Sequence, residues 1–504
     1  MSSLLCLDSA RHLGATFDEP FYIQKGLDYW RTGNLRDLMR AGTMPLPVQI
    51  QTLPLSIWES LHGERFDSIG ELDRLLPIAR AANLPFWWLL LWSTRWLARQ
   101  WGGRFASQLA VGLIGFEPNL LAHAALATTD IAATATVTAF LAAVLNGTNR
   151  CWRDRVLIPG LVAGLALACK ASALTFLPLL FLALRFPISR REWFDAIAMA
   201  LIAFVALFVA VGSNWRTEPS FVAWSQSLPA TLWAESLRWL ASNLAIFPNA
   251  GEGLVQQIKH NIRGHGCFVL GQYHTRAVWY YFPVVFAMKL PEVVLVGLVP
   301  AAFLQRRSEL VRLIVALGLF SLLCRVQIGL RLLFPLVVLI SLLMAVSIAN
   351  AKRWQVLASA ILLIGVAWSM ASWHPHGLMH RNRFWGAPEA SAEQLADSNA
   401  DWGQGLPELR DWHEANGRPP MTVWYGGADP AILSHPFRIV QLNQHPVPSL
   451  DVLKRATQQG GVFALSANLR IACPDRRPET LAVLDELNAM TPIARTRTFW
   501  IYRW

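Results

Sequence analysis

A mainly α, polytopic membrane helical bundle followed by a C-terminal extracytoplasmic α/β domain is the fold this sequence predicts, and three observations predict it. Only 15% of its 504 residues are charged, against about 25% in ordinary soluble domains, while 54% are hydrophobic. Apolar runs near the roughly 20 residues needed to cross a bilayer recur between residues 77 and 373. The short connectors between those runs are basic, which assigns them to the cytoplasm. Residues 1–76 then read as a first outer loop with an acidic motif and interfacial helices. Residues 77–373 read as a transmembrane domain of about nine or ten spans with an outer loop at 214–280, and 374–504 as the extracytoplasmic domain. The net charge of +11 fits membrane topology and anionic lipid, not nucleic acid, because the basic residues lie in those connectors.

Residues 1–16 hold no spanning helix and no signal-peptide core. Either the next segment is reached directly from a free N terminus, or a helix is encoded upstream. That segment, Thr16-Phe17-Asp18-Glu19-Pro20-Phe21-Tyr22, sets two carboxylates among aromatics at the edge of apolar sequence. Acids beside hydrocarbon are costly, which points to function. A carboxylate there deprotonates a hydroxyl or binds a metal, and the plain alternative is a solvated acidic pair in a loop. Tyr29 and Trp30, then Pro45, Pro47 and Leu55, fit helices lying at the membrane surface.

The apolar runs cover 77–98, 105–127, 129–146, 156–184, 193–213, 283–304, 309–327, 330–349 and 354–373. Basic residues mark the connectors 99–104, 150–155, 185–191, 306–312 and 352–353. The 156–184 run starts and ends at basic loops, so it re-enters or folds as two short helices about Lys170 and Pro178. The 105–127 and 129–146 runs meet in an outer turn that brings Glu117 near Asp130. Asp130 either caps its helix or forms a second acidic site. Lys289 lies about six residues inside the 283–304 run, where it pairs with a phosphate or snorkels to the interface. Arg331 sits in a tight outer turn, and its guanidinium fork suits a phosphate. His374, His376 and His380 have a loosely metal-like spacing that equally fits contact with headgroups.

Past residue 374 the composition turns rich in Pro, Asn, Asp and Gly. Strand-like runs at 422–425, 437–442, 462–466 and 498–502 alternate with helical pieces at 402–415, 448–458 and 478–489. The stretch from Asp397 to Gln404 reads as a loop with a helix cap. Six scattered cysteines form neither a disulfide framework nor a zinc pattern.

The order of these pieces resembles the lipid-phosphosugar glycosyltransferases of the GT-C superfamily, in the bacterial branch related to protein O-mannosyltransferases and the lipid A aminoarabinose transferase. The resemblance rests on Asp18-Glu19, Pro118 with Thr129-Asp130, and Lys170-Ala171-Ser172-Ala173-Leu174. It continues through His265, Gly271, Tyr281-Phe282-Pro283, Lys289-Leu290-Pro291, Gly329-Leu330-Arg331 with Pro335, and the 397–404 motif. In two places the chain departs from that pattern: the first transmembrane helix is absent, and the usual His-Pro-Pro-Leu reads Met44-Pro45-Leu46-Pro47. The resemblance implies an inverting glycosyltransferase of a multi-pass inner membrane. It would move a sugar from a polyprenyl-phosphate donor to a protein, lipid or glycan acceptor on the outer face. Asp18, Glu19 and Asp130 are then the candidate catalytic residues, and Lys289, Arg331 and His265 the candidate donor-phosphate ligands. No cofactor is demanded beyond a candidate divalent metal at Asp18 and Glu19. These groups are expected to line one outer cavity, acids on one wall and bases on the other. The alternative readings are a transporter or flippase of lipid-linked sugars, which calls for inverted repeats not seen here, and an inactive homologue.

Overall fold

The computed structural model of the protein describes residues 1–213, 215–245, 248–386, 393–440, 449–457 and 460–504. Its helices follow the apolar runs and break where those runs carry special residues. Helix Leu84–Phe116 leaves helical geometry at Gly103 (φ 76°, ψ −165°), between Arg99 and Arg104, a left-handed φ that glycine adopts without strain. The 156–184 run divides at Lys170 into Ile158–Cys169 and Ala173–Arg185, while Pro178 stays inside the second helix. The 283–304 run is two helices, Tyr281–Lys289 and Glu292–Leu304, bent by 116°. Pro291 forces the preceding Leu290 into extended geometry (φ −76°, ψ 142°), which ends the first helix. Lys289 is therefore the last residue of a short helix and does not lie six residues inside a continuous one.

Among the described residues, Leu72–Phe116, Arg190–Val211, Leu330–Asn350 and Gln355–Trp373 are long and apolar enough to cross a bilayer, and the bent pair adds a fifth if counted as one span. Asp130–Asn146 and Ala173–Arg185 are shorter apolar helices, so the count by length is below the number of runs. Helix Arg190–Val211 turns Phe194, Ile197, Leu201, Val205 and Val209 outward at 56–77% exposure, a stripe that lipid covers. The chain is a multi-pass membrane protein.

Four of the basic connectors meet at one end of the bundle. Trp101 Nε1 donates to Glu309 (3.0 Å), Arg312 to the Phe186 carbonyl (3.2 Å), Arg155 to Asp195 (2.7 Å) and Arg185 to Thr148 (2.8 Å). Helix Asp130–Asn146 has 17 residues. At 1.5 Å per residue it spans about 25 Å, which carries Asp130 well away from that end.

At the far end the beginning of the chain and its last third share one core. Helices Glu19–Thr32 and Pro45–His62 are tied by the Arg31–Glu59 ion pair and by Trp30 Nε1 donating to Thr52 (3.1 Å). Their Ile23, Leu27 and Leu55 pack with Leu75 and Leu76 of Leu72–Ala81, and with Leu406, Val423, Ile432 and Ile501. Residues of 1–76 and of 374–504 thus bury a common interior. The strands here are β1 (Cys267–Val269) and β2 (Gln272–His274), an antiparallel hairpin, followed by β3 (Met421–Trp424), β4 (Arg438–Ile439), β5 (Val462–Ser466), β6 (Ala494–Arg495) and β7 (Phe499–Tyr502). Among the described residues the larger sheet runs β4-β3-β5-β7-β6, parallel at β4-β3-β5 and antiparallel at β5-β7-β6. One face lies on the common interior and the other on Val483, Leu484 and Leu487 of helix Pro478–Ala489.

The expected strand 437–442 is β4 as far as it is described, with 441–442 outside the described residues. Positions 448 and 458 of the expected helix 448–458 also lie outside them, and the part between forms helix Leu450–Ala456. The β1–β2 hairpin escaped the sequence reading because its turn is Leu270-Gly271, both at positive φ (54° and 75°), where Asn-Gly is the usual signal.

Candidate active site

Asp18 precedes helix Glu19–Thr32, whose first turn Pro20 favours by fixing φ. Its side chain makes no capping bond, which leaves the carboxylate free to face the membrane-domain end. There Asp18 Oδ2 accepts from Arg331 Nη1 at 3.2 Å, and the same Nη1 lies 3.6 Å from Asp130 Oδ2. Lys170, at the break in the 156–184 run, forms an ion pair with Asp130 Oδ1. Thr128 Oγ1 donates to Asp130 Oδ2 at 3.3 Å, and His123 Nδ1 approaches it to 3.6 Å. Asp130 is therefore a buried carboxylate held by two cations. The Thr129–Asp130 helix start carries no side-chain cap bond, so capping is not its role.

The 397–404 motif, read as a plain loop, holds these groups together. Ser398 Oγ donates to the Ile328 carbonyl, and Leu330 N donates to Asn399 Oδ1 (3.1 Å), which fixes the turn bearing Arg331. Gly329 has φ 131°, and a Cβ there would fall 2.2 Å from Ser398 Oγ, so only glycine allows the approach. The Trp402 ring lies 4.0 Å under the Arg331 guanidinium, and Phe17 N donates to the Trp402 carbonyl (2.9 Å) beside Asp18. Lys289 braces the same motif. Its buried Nζ donates to the carbonyls of Leu378 (2.7 Å) and Asn399 (2.8 Å). That departs from the expectation that it faces a phosphate, because the bend after Lys289 turns its side chain into backbone carbonyls.

Asp18, Phe17, Ile328, Arg331 and Gly427 line two cavities that meet at this point. The larger, about 610 Å³, adds Lys170, Thr129, His260 and an apolar wall including Phe21, Met44 and Leu332. The smaller, about 350 Å³, adds Asp397, Asn468, His265 and the rings of Phe268, Tyr273, Tyr281 and Trp402. Asp18 and Arg331 converge as expected, whereas acids and bases interleave as ion pairs and do not face each other across a cavity. Arg331 Nε is buried with no hydrogen-bond partner among the described residues. Burial raises the Asp18 pKa above its ordinary value against the pull of Arg331, and does the same for Asp397.

Glu19 faces away from both cavities. Its fully buried carboxylate accepts two bonds from Arg80 (2.8 and 2.7 Å), and others from Thr16 N (2.9 Å), Thr16 Oγ1 (3.0 Å) and Ala127 N (2.8 Å). Burial opposes its ionisation, but Arg80 and these amides outweigh burial and hold its pKa below the usual range. Asp18 and Glu19, each turned to a different arginine, do not fit a shared divalent metal. Among the described residues no three His, Cys, Asp or Glu side chains are grouped to hold one. His374 pairs instead with Asp8 (2.7 Å), and His380 is buried. His265 lies exposed on the rim of the smaller cavity, its Nδ1 2.6 Å from the Gly266 carbonyl.

Site residues that the sequence reading did not assign are Lys170, His123 and Trp402. A lysine interrupting an apolar run was the available signal for Lys170. Trp402 lay in the 397–404 motif, read locally as a loop, and for His123 there was no signal, because only tertiary contact brings these rings to Arg331 and Asp130.

No protein-family model matches the chain, and no curated protein sequence does. Among solved structures, ArnT from Cupriavidus metallidurans bound to undecaprenyl phosphate is similar over 99% of this chain and 96% of its own, at 14% identity and a TM-score of 0.49. The same protein in the apo state covers 99% and 95%, at 14% identity and a TM-score of 0.33. The Archaeoglobus fulgidus oligosaccharyltransferase in complex with Zn and sulfate covers 93% of this chain and 68% of its own, at 11% identity and a TM-score of 0.44.

Proposed function

We propose that the protein is an inverting membrane glycosyltransferase that moves a sugar from a polyprenyl-phosphate donor to an acceptor hydroxyl at the outer face of the inner membrane. The observation that carries this reading is the junction of two cavities at Asp18, beside Arg331, whose Nε is buried with no partner among the described residues. The larger cavity supplies what a lipid phosphate needs: Arg331 and Lys170 for the oxyanion and an apolar wall for the first isoprene units. The smaller supplies ring faces and polar groups suited to the acceptor, with Asp18 between the two. In the reaction the acceptor oxygen bonds to the anomeric carbon from the face opposite the phosphate. Its proton passes to the Asp18 carboxylate. The bond from the anomeric carbon to the phosphate oxygen breaks, and the electron pair leaves on the polyprenyl phosphate, whose charge Arg331 and Lys170 balance. A single displacement inverts the anomeric centre.

Purified protein given radiolabelled polyprenyl-phosphate sugars and a membrane extract should transfer label. Lys170→Met and Arg331→Gln should each lower kcat/KM for the donor by about 10²-fold. Transport of the donor across vesicles without transfer would favour the flippase reading instead.

The outer-face assignment draws on the basic end of the bundle, about 25 Å from Asp130 by helix length. An alkaline phosphatase fused after Trp504 should be active in the periplasm. A cytoplasmic reporter active at that junction would invert the topology and place the site on the inner face.

A further inference from the structure

We propose that the donor phosphate and the Asp18 carboxylate compete for Arg331, so that donor binding releases the base and the donor must bind first. The inference rests on the reading of Asp18 as base and Arg331 as phosphate ligand given above.

Arg331 lies between two carboxylates, 3.2 Å from Asp18 and 3.6 Å from Asp130 through the same Nη1. The two acids are not held equally. Asp130 is 1% exposed and keeps Lys170 and Thr128 whatever Arg331 does. The Asp18 side chain is 26% exposed, and among the described residues Arg331 is its sole side-chain hydrogen-bond partner. Asp18, Asp130, Lys170 and Arg331 sum to zero charge, with Asp397 a further carboxylate on the smaller cavity near Arg331. The incoming donor, a phosphodiester, adds one negative charge next to Arg331 Nε, which has no hydrogen-bond partner among the described residues. The guanidinium stays stacked on Trp402 while its nitrogens are redistributed, and the weakest-held anion leaves. That anion is Asp18, which then faces the smaller cavity as an unpaired carboxylate of greater proton affinity. Without a donor the base stays paired, which also keeps it from activating the acceptor or water.

The test is a binding cycle on the purified full-length protein, with undecaprenyl phosphate in detergent as probe. Asp18→Asn removes the competing charge and should bind the probe about tenfold tighter than wild type, even though its turnover is slowed. In the Arg331→Lys background, which keeps the positive charge but not the shared fork, the same Asp18→Asn change should alter affinity less than about twofold. A gain of equal size in both backgrounds would mean general electrostatics and would overturn the competition. No gain in Asp18→Asn, with wild type binding the probe, would overturn it as well. Absence of probe binding by wild type would instead remove the donor reading on which the inference stands. Thermal unfolding of each variant, with and without the probe, shows that the compared proteins are folded.

Discussion

Asp18→Asn should leave the protein folded and slow sugar transfer by about 10²–10⁴-fold, the usual contribution of a positioned general base. The amide keeps the side-chain shape and still accepts from Arg331 through its carbonyl, so the loss reports proton acceptance and not collapse of the site. The check is a transfer assay on purified protein whose unfolding temperature matches wild type. Turnover unchanged in Asp18→Asn would remove the base from the mechanism. An equal loss in Glu19→Gln, with stability intact, would move the role one residue along.

That second outcome runs against the geometry, and the expectation for Glu19 is of another kind. Arg80 has no exposed side-chain surface and donates to Glu19 and to the carbonyls of Ala10 (2.9 Å), Leu13 (2.7 Å) and Gly14 (2.8 Å). Removing one member of such a buried pair strands the other charge, which costs about 3–5 kcal/mol. Arg80→Leu and Glu19→Gln should therefore both lower the unfolding temperature in detergent, while the remaining folded protein transfers sugar at the wild-type rate. Removing both charges together should be milder than either alone, because neither partner is then left unpaired. The folded pKa of Glu19 lies below its unfolded value, so its stabilisation is complete above about pH 4.3 and fades as pH falls through the lower folded value. Arg80→Leu should flatten that acid limb of the stability profile.

The neighbouring acids Asp18 and Glu19 illustrate what was legible in the sequence. Their position at the membrane edge marked them both, yet one serves the cavity and the other the core. Nothing local distinguishes them, because the distinction is made by Arg80 and Arg331, 61 and 313 positions away. The strands 462–466 and 498–502 and the helix 478–489 were readable because short apolar runs between turn residues fix their type. Lys289, expected inside an apolar run, and Arg331, expected in an outer turn, were both read as cations for a phosphate. Pro291 bends the chain so that Lys289 meets carbonyls, while Gly329 lets the Arg331 turn sit against Ser398. A proline and a glycine thus decided which cation reached the cavity, and their effect depended on segments 70 to 110 residues further on.

The core shared by residues near 20 and residues near 420 also bears on how the protein matures. The strut from Phe17 to Trp402 and the bond from Gly14 N to Gln404 O (2.9 Å) join segments separated by nearly 400 positions. A ribosome adding about 5–20 residues per second needs about 20–80 s to cover that distance. For that interval the N-terminal helices carry an apolar face whose partner has not been made, and Asp18 has no fixed place. The junction of the two cavities at Asp18 is therefore not assembled on the nascent chain until residues near 400 have been made.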